Sequence, residues 1–145
     1  MANLDSFYSN WTPRLLSLLR IVTAFLMMPH GAQKLFGFLA KPGAAAPLDT
    51  TMLVAGSLEF FGGLLLLVGL FTRPVAFLLS GLMAAAYFMA HAPQGFWPLQ
   101  NRGELAALYC FVFLFFAVAG GGPWSLDNLL WRRRTAVAFP AGDAA

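Results

Sequence analysis

Residues Thr50 to Thr72 read TTMLVAGSLEFFGGLLLLVGLFT, 23 consecutive positions with a single ionisable side chain, Glu59. A helix needs about 20 apolar residues to cross the hydrocarbon core of a bilayer. This run is long enough. It is preceded by the Pro/Gly/Ala stretch KPGAAAPLD, Lys41 to Asp49, and it closes on the turn Thr72-Arg73-Pro74, so it is punctuated as one element. The chain repeats the pattern on either side. Pro74 to Asn101 (28 positions) and Leu105 to Leu126 (22 positions) contain no Asp, Glu, Lys or Arg. Leu15 to Phe36 is apolar apart from Arg20, His30, Gln33 and Lys34. The expected architecture is an all-α integral membrane four-helix bundle, a single domain over residues 1–145 with spans at about 14–36, 50–71, 74–92 and 103–120.

Composition points the same way. Of 145 residues, 59% are hydrophobic and 10% charged, against about 25% charged in an ordinary soluble domain. A mean hydropathy of +0.71 excludes a water-facing globule and makes the lipid bilayer the first partner. Pro29 removes one backbone donor from the first span, which is expected to be tilted or irregular there. A cleaved signal peptide fits that segment less well, because its apolar stretch is long and three more follow. The net charge of +3 owes much to Arg132, Arg133 and Arg134, a basic cluster after an apolar region, as in juxtamembrane segments. No nucleic-acid partner is implied. One cysteine, Cys110, allows no internal disulfide and no paired redox centre.

An even number of spans puts both termini on one side. That side carries Arg14, Arg20, Arg73 and Arg132 to Arg134, and the other carries Lys34, Lys41 and Arg102. The bias predicts N-in and C-in. Trp11, Trp124 and Trp131 fall at the inner interface, and Phe96 with Trp97 in the outer loop Ala92 to Gly103. Gly120-Gly121-Gly122-Pro123 ends the last span. Ser125 is then placed to cap a short C-terminal interfacial helix whose Leu126, Leu129 and Leu130 face lipid.

Polar side chains inside such a bundle need a reason. Glu59 lies ten residues after Asp49, about 15 Å along a helix and close to the midplane. A carboxylate there costs several kcal/mol unless protonated, paired or hydrated, so Glu59 is expected to point inward. Gly56, Gly62 and Gly63 near it leave room for a neighbouring helix or a planar ligand. His30, Gln33 and Lys34 share i, i+3, i+4 spacing and hence one helix face. Tyr87 and His91 bring a phenol and an imidazole to the outer end of the third span, and Glu104 stands where the fourth begins. These residues are expected to line one outer pocket with Glu59 beneath them.

Blander roles compete at each position. Asn101-x-x-Glu104 has the form of a capping box. Lys34 and Arg20 can snorkel to headgroups, His91 can be a hydrated interfacial residue, and Glu59 can pair structurally with Lys34 or His30. Cys110 and the Phe-rich stretch Phe111 to Phe116 read as packing or lipid-facing. Two histidines at different depths argue against haem, and no metal-ligand spacing appears. A quinone suits the set better, with His or Lys donating to a carbonyl oxygen and Glu59 exchanging a proton. No motif supplies electrons, so a donor would belong to a partner subunit.

LLRIVTAFLMMPHGAQKLFGF, with an early Arg and the elements His30, Gly31 and Lys34, resembles the first helix of the DoxX family. LEFFGGLLLLVGLFTRPVAFLL resembles its second and third helices, and FWPLQNRGELAALYCFVFLFFAVAGGGPWSLD its fourth with the closing WSLD. The resemblance covers roughly Arg14 to Asp127. Arg102 departs from the NGGE form of that loop. The resemblance implies a four-helix protein of the bacterial inner (cytoplasmic) membrane. It also implies kinship with the membrane subunit of a thiosulfate:quinone oxidoreductase and with members that join soluble redox enzymes.

Two functional expectations follow. One is a subunit of a redox-linked assembly that binds quinone, an enzyme only together with a separate electron donor, with Glu59 exchanging protons and His30, Gln33, Lys34, Tyr87, His91 and Glu104 forming the ligand site. The alternative is a non-enzymatic accessory, scaffold or assembly subunit of a larger complex, packed through small-residue faces. The expected partners are membrane or soluble redox subunits and a second copy of the chain. A solute or proton pathway would need an oligomer.

Overall fold

A computed structural model describes residues 2–40 and 49–130. Lys41, Trp131, the Arg132–Arg134 cluster and most of the first connection lie outside the described residues. The first helix runs Ala2–Phe36, unbroken through Pro13 and Pro29. Its 35 residues make about 52 Å of helix, well beyond the ~30 Å of a hydrocarbon core. It therefore starts a dozen residues earlier than the expected span. Those extra turns carry exposed Phe7, Tyr8 and Trp11, with Arg14 over the Trp11 ring.

The second helix, Thr50–Val68, begins where Asp49 accepts the Met52 N–H at 2.7 Å, an N-cap that satisfies one orphan donor. It ends at Gly69 in the left-handed region, φ +71. Its middle, Leu58–Gly62, is π-helical. The third helix, Thr72–Gln94, has a second π-helical turn at Tyr87–His91 and closes as a 3-10 turn. After the short helical turn Pro98–Asn101 comes the fourth helix, Glu104–Ala119, stopped by Gly120 at φ +85. A last helical turn covers 126–130. Ser125 caps it as expected, its hydroxyl accepting the Asn128 N–H at 3.2 Å.

The first helix packs along the second and the third along the fourth. Between them lie Ala24, Met27, Leu66, Leu79, Met83, Phe113 and Phe116, with the Tyr109 and Phe113 rings stacked at 5.5 Å. Ser80 on the third helix donates to the Cys110 carbonyl at 2.8 Å, and Cys110 is half-buried there. The outside is as apolar as the inside: Phe77, Phe88, Phe111 and Val118 are at least 65% exposed. Such a surface is stable only against lipid. The protein is an all-α membrane bundle.

The glycines around Glu59 and Lys34 are consumed by packing. A Cβ on Gly31 would sit 2.4 Å from the Phe60 nitrogen, so the first two helices touch backbone to backbone at that point. Gly56, Gly62 and Gly63 face Leu35 and Lys34, Leu79, and Met28 respectively. The expected space for a planar ligand beside them is filled by neighbouring helices.

Candidate functional site

Two buried charged groups organise the bundle. They sit toward opposite ends, one near the connections (the loop end), the other near the chain termini (the terminal end).

At the loop end, Glu59 is 4% exposed and lies in the π-helical turn Leu58–Gly62. Such turns add a residue to the helix and re-aim side chains, and they recur at functional positions. The Gly31 contact brings the first helix so close that Lys34, three residues on, reaches across. Its Nζ donates to Glu59 Oε2, and this is the ion pair found among the described residues. The Lys34 side chain remains 29% exposed. One partner is thus sealed in the bundle, while the other keeps contact with the surroundings.

The remaining expected site residues do not join them. His30 and Gln33 are exposed. Of the His30, Gln33, Lys34 set only Lys34 turns inward, because Gly31 rather than His30 marks the line of contact with the second helix. Glu104 is also exposed, beside Arg102, Leu105 and Leu108. Tyr87 and His91 fasten the loop between the third and fourth helices instead. The Tyr87 hydroxyl donates to the Phe96 carbonyl at 3.3 Å, and His91 Nδ1 donates to the Asn101 carbonyl at 3.0 Å. The π-helical turn at Tyr87–His91 directs them there. A single pocket lined by all seven residues is not what the structure contains.

The capping box is overturned as well. Asn101 is 1% exposed, and its side chain is used locally, accepting from Gly103 N at 2.8 Å and donating to the Gly95 carbonyl at 2.8 Å. Gly103 is the N-cap of the fourth helix, with no side-chain cap bond. A Cβ on Gly103 would sit 2.8 Å from the Tyr87 ring, which holds the loop against the third helix.

Beside the Gly31 contact an apolar groove of about 470 Å³ opens on the first and second helices, lined by Phe25, Met28, Pro29, Phe36, Phe60 and Leu67 among others. Neither Lys34 nor Glu59 lines it. Among the described residues, no three of His, Cys, Asp and Glu come together as a metal site would require.

At the terminal end the decisive residue is Arg20, which does not snorkel. It is fully buried. Its Nε donates to the Gly121 carbonyl at 2.9 Å, Nη1 to Leu67 at 2.8 Å and also to Leu66, and Nη2 to Trp124 at 2.6 Å. Leu66 and Leu67 lie at the end of the second helix; the Leu66 carbonyl also accepts from Gly69 N at 3.1 Å, and Arg20 adds a charged donor at this helix end, where lipid supplies none. Ser17, one turn earlier, accepts the Trp124 N–H at 3.1 Å. Asp127 accepts from Phe71 N and Thr72 N at 2.7 and 2.8 Å, capping the third helix, and lies within Coulombic reach of Arg20. The i, i+3 spacing of Ser17 and Arg20, opposite a glycine run and Trp124-Ser125-Leu126-Asp127, was the available sequence signal for this knot.

A family model for DoxX matches residues 15–92, just over half of the chain. The chain belongs to the DoxX family. The matched region holds Arg20, Lys34, Glu59, Tyr87 and His91, whereas Asn101, Glu104 and Asp127 lie beyond it. An uncharacterized protein of Haemophilus influenzae is 43% identical over 138 residues, covering 92% of this chain and 100% of that relative. A second uncharacterized protein of the same organism is 32% identical over 84 residues, 58% of this chain and 56% of the relative. No solved structure matches the chain significantly.

Proposed function

We propose that this DoxX protein is the membrane subunit of a redox-linked assembly, and that the Lys34–Glu59 pair is its proton-exchanging element for a lipophilic quinone. The observation that carries the reading is the arrangement of the pair. A carboxylate 4% exposed sits in a π-helical turn, and its lysine partner remains 29% exposed. Intramembrane ionisable groups are costly and belong to function more often than to scaffolding. Reducing a quinone to a quinol consumes two electrons and two protons. The electrons come from a separate redox subunit, and Glu59 and Lys34 relay protons between the surroundings and the bundle interior. The groove between Phe25, Phe36 and Phe60, on the same helix pair, gives the apolar tail a place beside the pair. The excess of positive charge at the terminal end supports an orientation with both termini in the cytoplasm and the pair in the outer half of the inner membrane.

The second reading, a non-enzymatic accessory subunit, draws on one observation: Glu59 is already neutralised by Lys34 and asks for no ligand. Exposed Gly81, with nothing within 4 Å of an added Cβ, and the exposed His30 and Gln33 on another face would then meet partner helices. Purification in mild detergent, followed by mass spectrometry of co-purifying lipids and polypeptides, separates the two. Retained quinone together with a redox enzyme is the expected result. A stable complex with a non-redox partner and no quinone would favour the scaffold.

A further inference from the structure

A cavity of about 430 Å³ opens at the loop end, where the fourth helix begins, lined by Leu99, Arg102, Glu104, Leu105 and Leu108. A cation and a carboxylate two residues apart share its wall, yet they do not pair with each other. Both are exposed, and neither side chain has a hydrogen-bond or ion-pair partner among the described residues. Arg102 also stands where a side chain is costly. Its φ of +58 and ψ of +21 lie in the left-handed region that favours glycine.

Beyond the two charges the surface is wholly apolar. Glu104, Leu108, Phe111 and Phe115 recur at i, i+4, i+7 and i+11, which is one face of the fourth helix. The three apolar members are each at least 53% exposed. From Glu104 to Phe115 is about 16 Å of helix, close to half of the ~30 Å hydrocarbon core and so the depth of one leaflet. At that depth Phe115 joins Leu15, Leu19 and Val22 of the first helix in a second apolar groove, of about 540 Å³. An anion site and a cation site at headgroup level thus stand over an apolar track one leaflet long.

We propose that this face binds a zwitterionic phospholipid of the phosphatidylethanolamine type, with Arg102 on the phosphate, Glu104 on the primary ammonium and one acyl chain along the track. Charge complementarity selects the class. A phosphatidylglycerol headgroup brings an anion but no cation, and it would set a negative charge beside Glu104. A phosphatidylcholine headgroup carries a cation without N–H donors, so it gives the carboxylate no hydrogen bond. The site is independent of the quinone reading and requires nothing of Lys34 or Glu59.

The test is the thermal stability of the detergent-purified full chain, titrated separately with the dihexanoyl forms of phosphatidylethanolamine, phosphatidylcholine and phosphatidylglycerol. Wild type is expected to respond to phosphatidylethanolamine at about tenfold lower concentration than to either of the others, the difference that one charge-assisted hydrogen bond makes. Arg102→Gly supplies the residue that a left-handed position prefers, so it should melt no lower than wild type without lipid. It should nevertheless need about tenfold more phosphatidylethanolamine for the same response. Glu104→Gln keeps the size and removes the charge, so the responses to phosphatidylethanolamine and phosphatidylglycerol should become alike. Equal responses of wild type to all three lipids, or a response to none, overturn the proposal. So does an Arg102→Gly protein that responds to phosphatidylethanolamine as wild type does.

Discussion

Arg20 and Glu59 are two buried charges in one bundle, and they are held in opposite ways. Arg20 is surrounded by main-chain carbonyls from two separate segments, the end of the second helix and the loop after the fourth, neither of which can titrate or move without unwinding the fold. Glu59 rests on one flexible side chain that is itself partly exposed. A charge met by several fixed dipoles is a fastener. A charge met by a single mobile partner can change partners, which is what proton exchange requires.

Breaking the fastener should have the largest effect. Arg20→Leu leaves the carbonyls of Leu67 and Trp124 without a donor and Gly121 with only the 3.4 Å bond from the Ser17 hydroxyl, and the expected loss is about 3–5 kcal/mol of stability. Size-exclusion chromatography in detergent should show the variant aggregated, and a monodisperse Arg20→Leu would erase the distinction between the two charges. Next comes the contact that sets the pair. Gly31→Ala forces a methyl to 2.4 Å from the Phe60 nitrogen. About 1–3 kcal/mol should be lost as the helices separate, with a lowered melting temperature and loss of any quinone-linked activity.

The pair itself should matter less to folding. Glu59→Gln removes a coupling whose lysine can rehydrate, so the expected loss is only about 1–2 kcal/mol. The double variant Lys34→Met with Glu59→Leu should recover most of it, as replacing a buried pair by apolar groups often does. A double-mutant cycle on melting temperature measures this. His30→Ala, at an exposed position, should stay within about 0.5 kcal/mol of wild type. A larger drop would place His30 inside the network after all.

These contrasts also separate what was legible from what was not. The helices are written in apolar runs, because bilayer thickness dictates their length. The inward turn of Glu59 follows from the cost of leaving a carboxylate in lipid. The sequence admits Lys34 or His30 as its structural partner, and Gly31, whose missing Cβ fixes the helix contact, selects Lys34. The single outer pocket failed because shared spacing on one helix states which side chains are neighbours, not which of them faces the bundle. His30 and Gln33 lie on the outer part of that face. Asn101 satisfies its own loop, which a three-residue spacing to Glu104 cannot reveal. Arg20 reads as a headgroup anchor in sequence because its acceptors are backbone carbonyls 46 to 104 residues away, and backbone leaves no side-chain signature. The first helix extends to Ala2 because its opening turns are aromatic and polar, helical without being hydrophobic enough to span.

The most direct measurement is quinone reduction in membranes whose sole copy of this protein carries Glu59→Gln, with the quantity of folded protein matched to wild type. The account predicts that the variant inserts and persists while quinone-linked electron flow collapses. Undiminished flow at matched protein levels would contradict it and reduce Glu59 to a structural partner of Lys34.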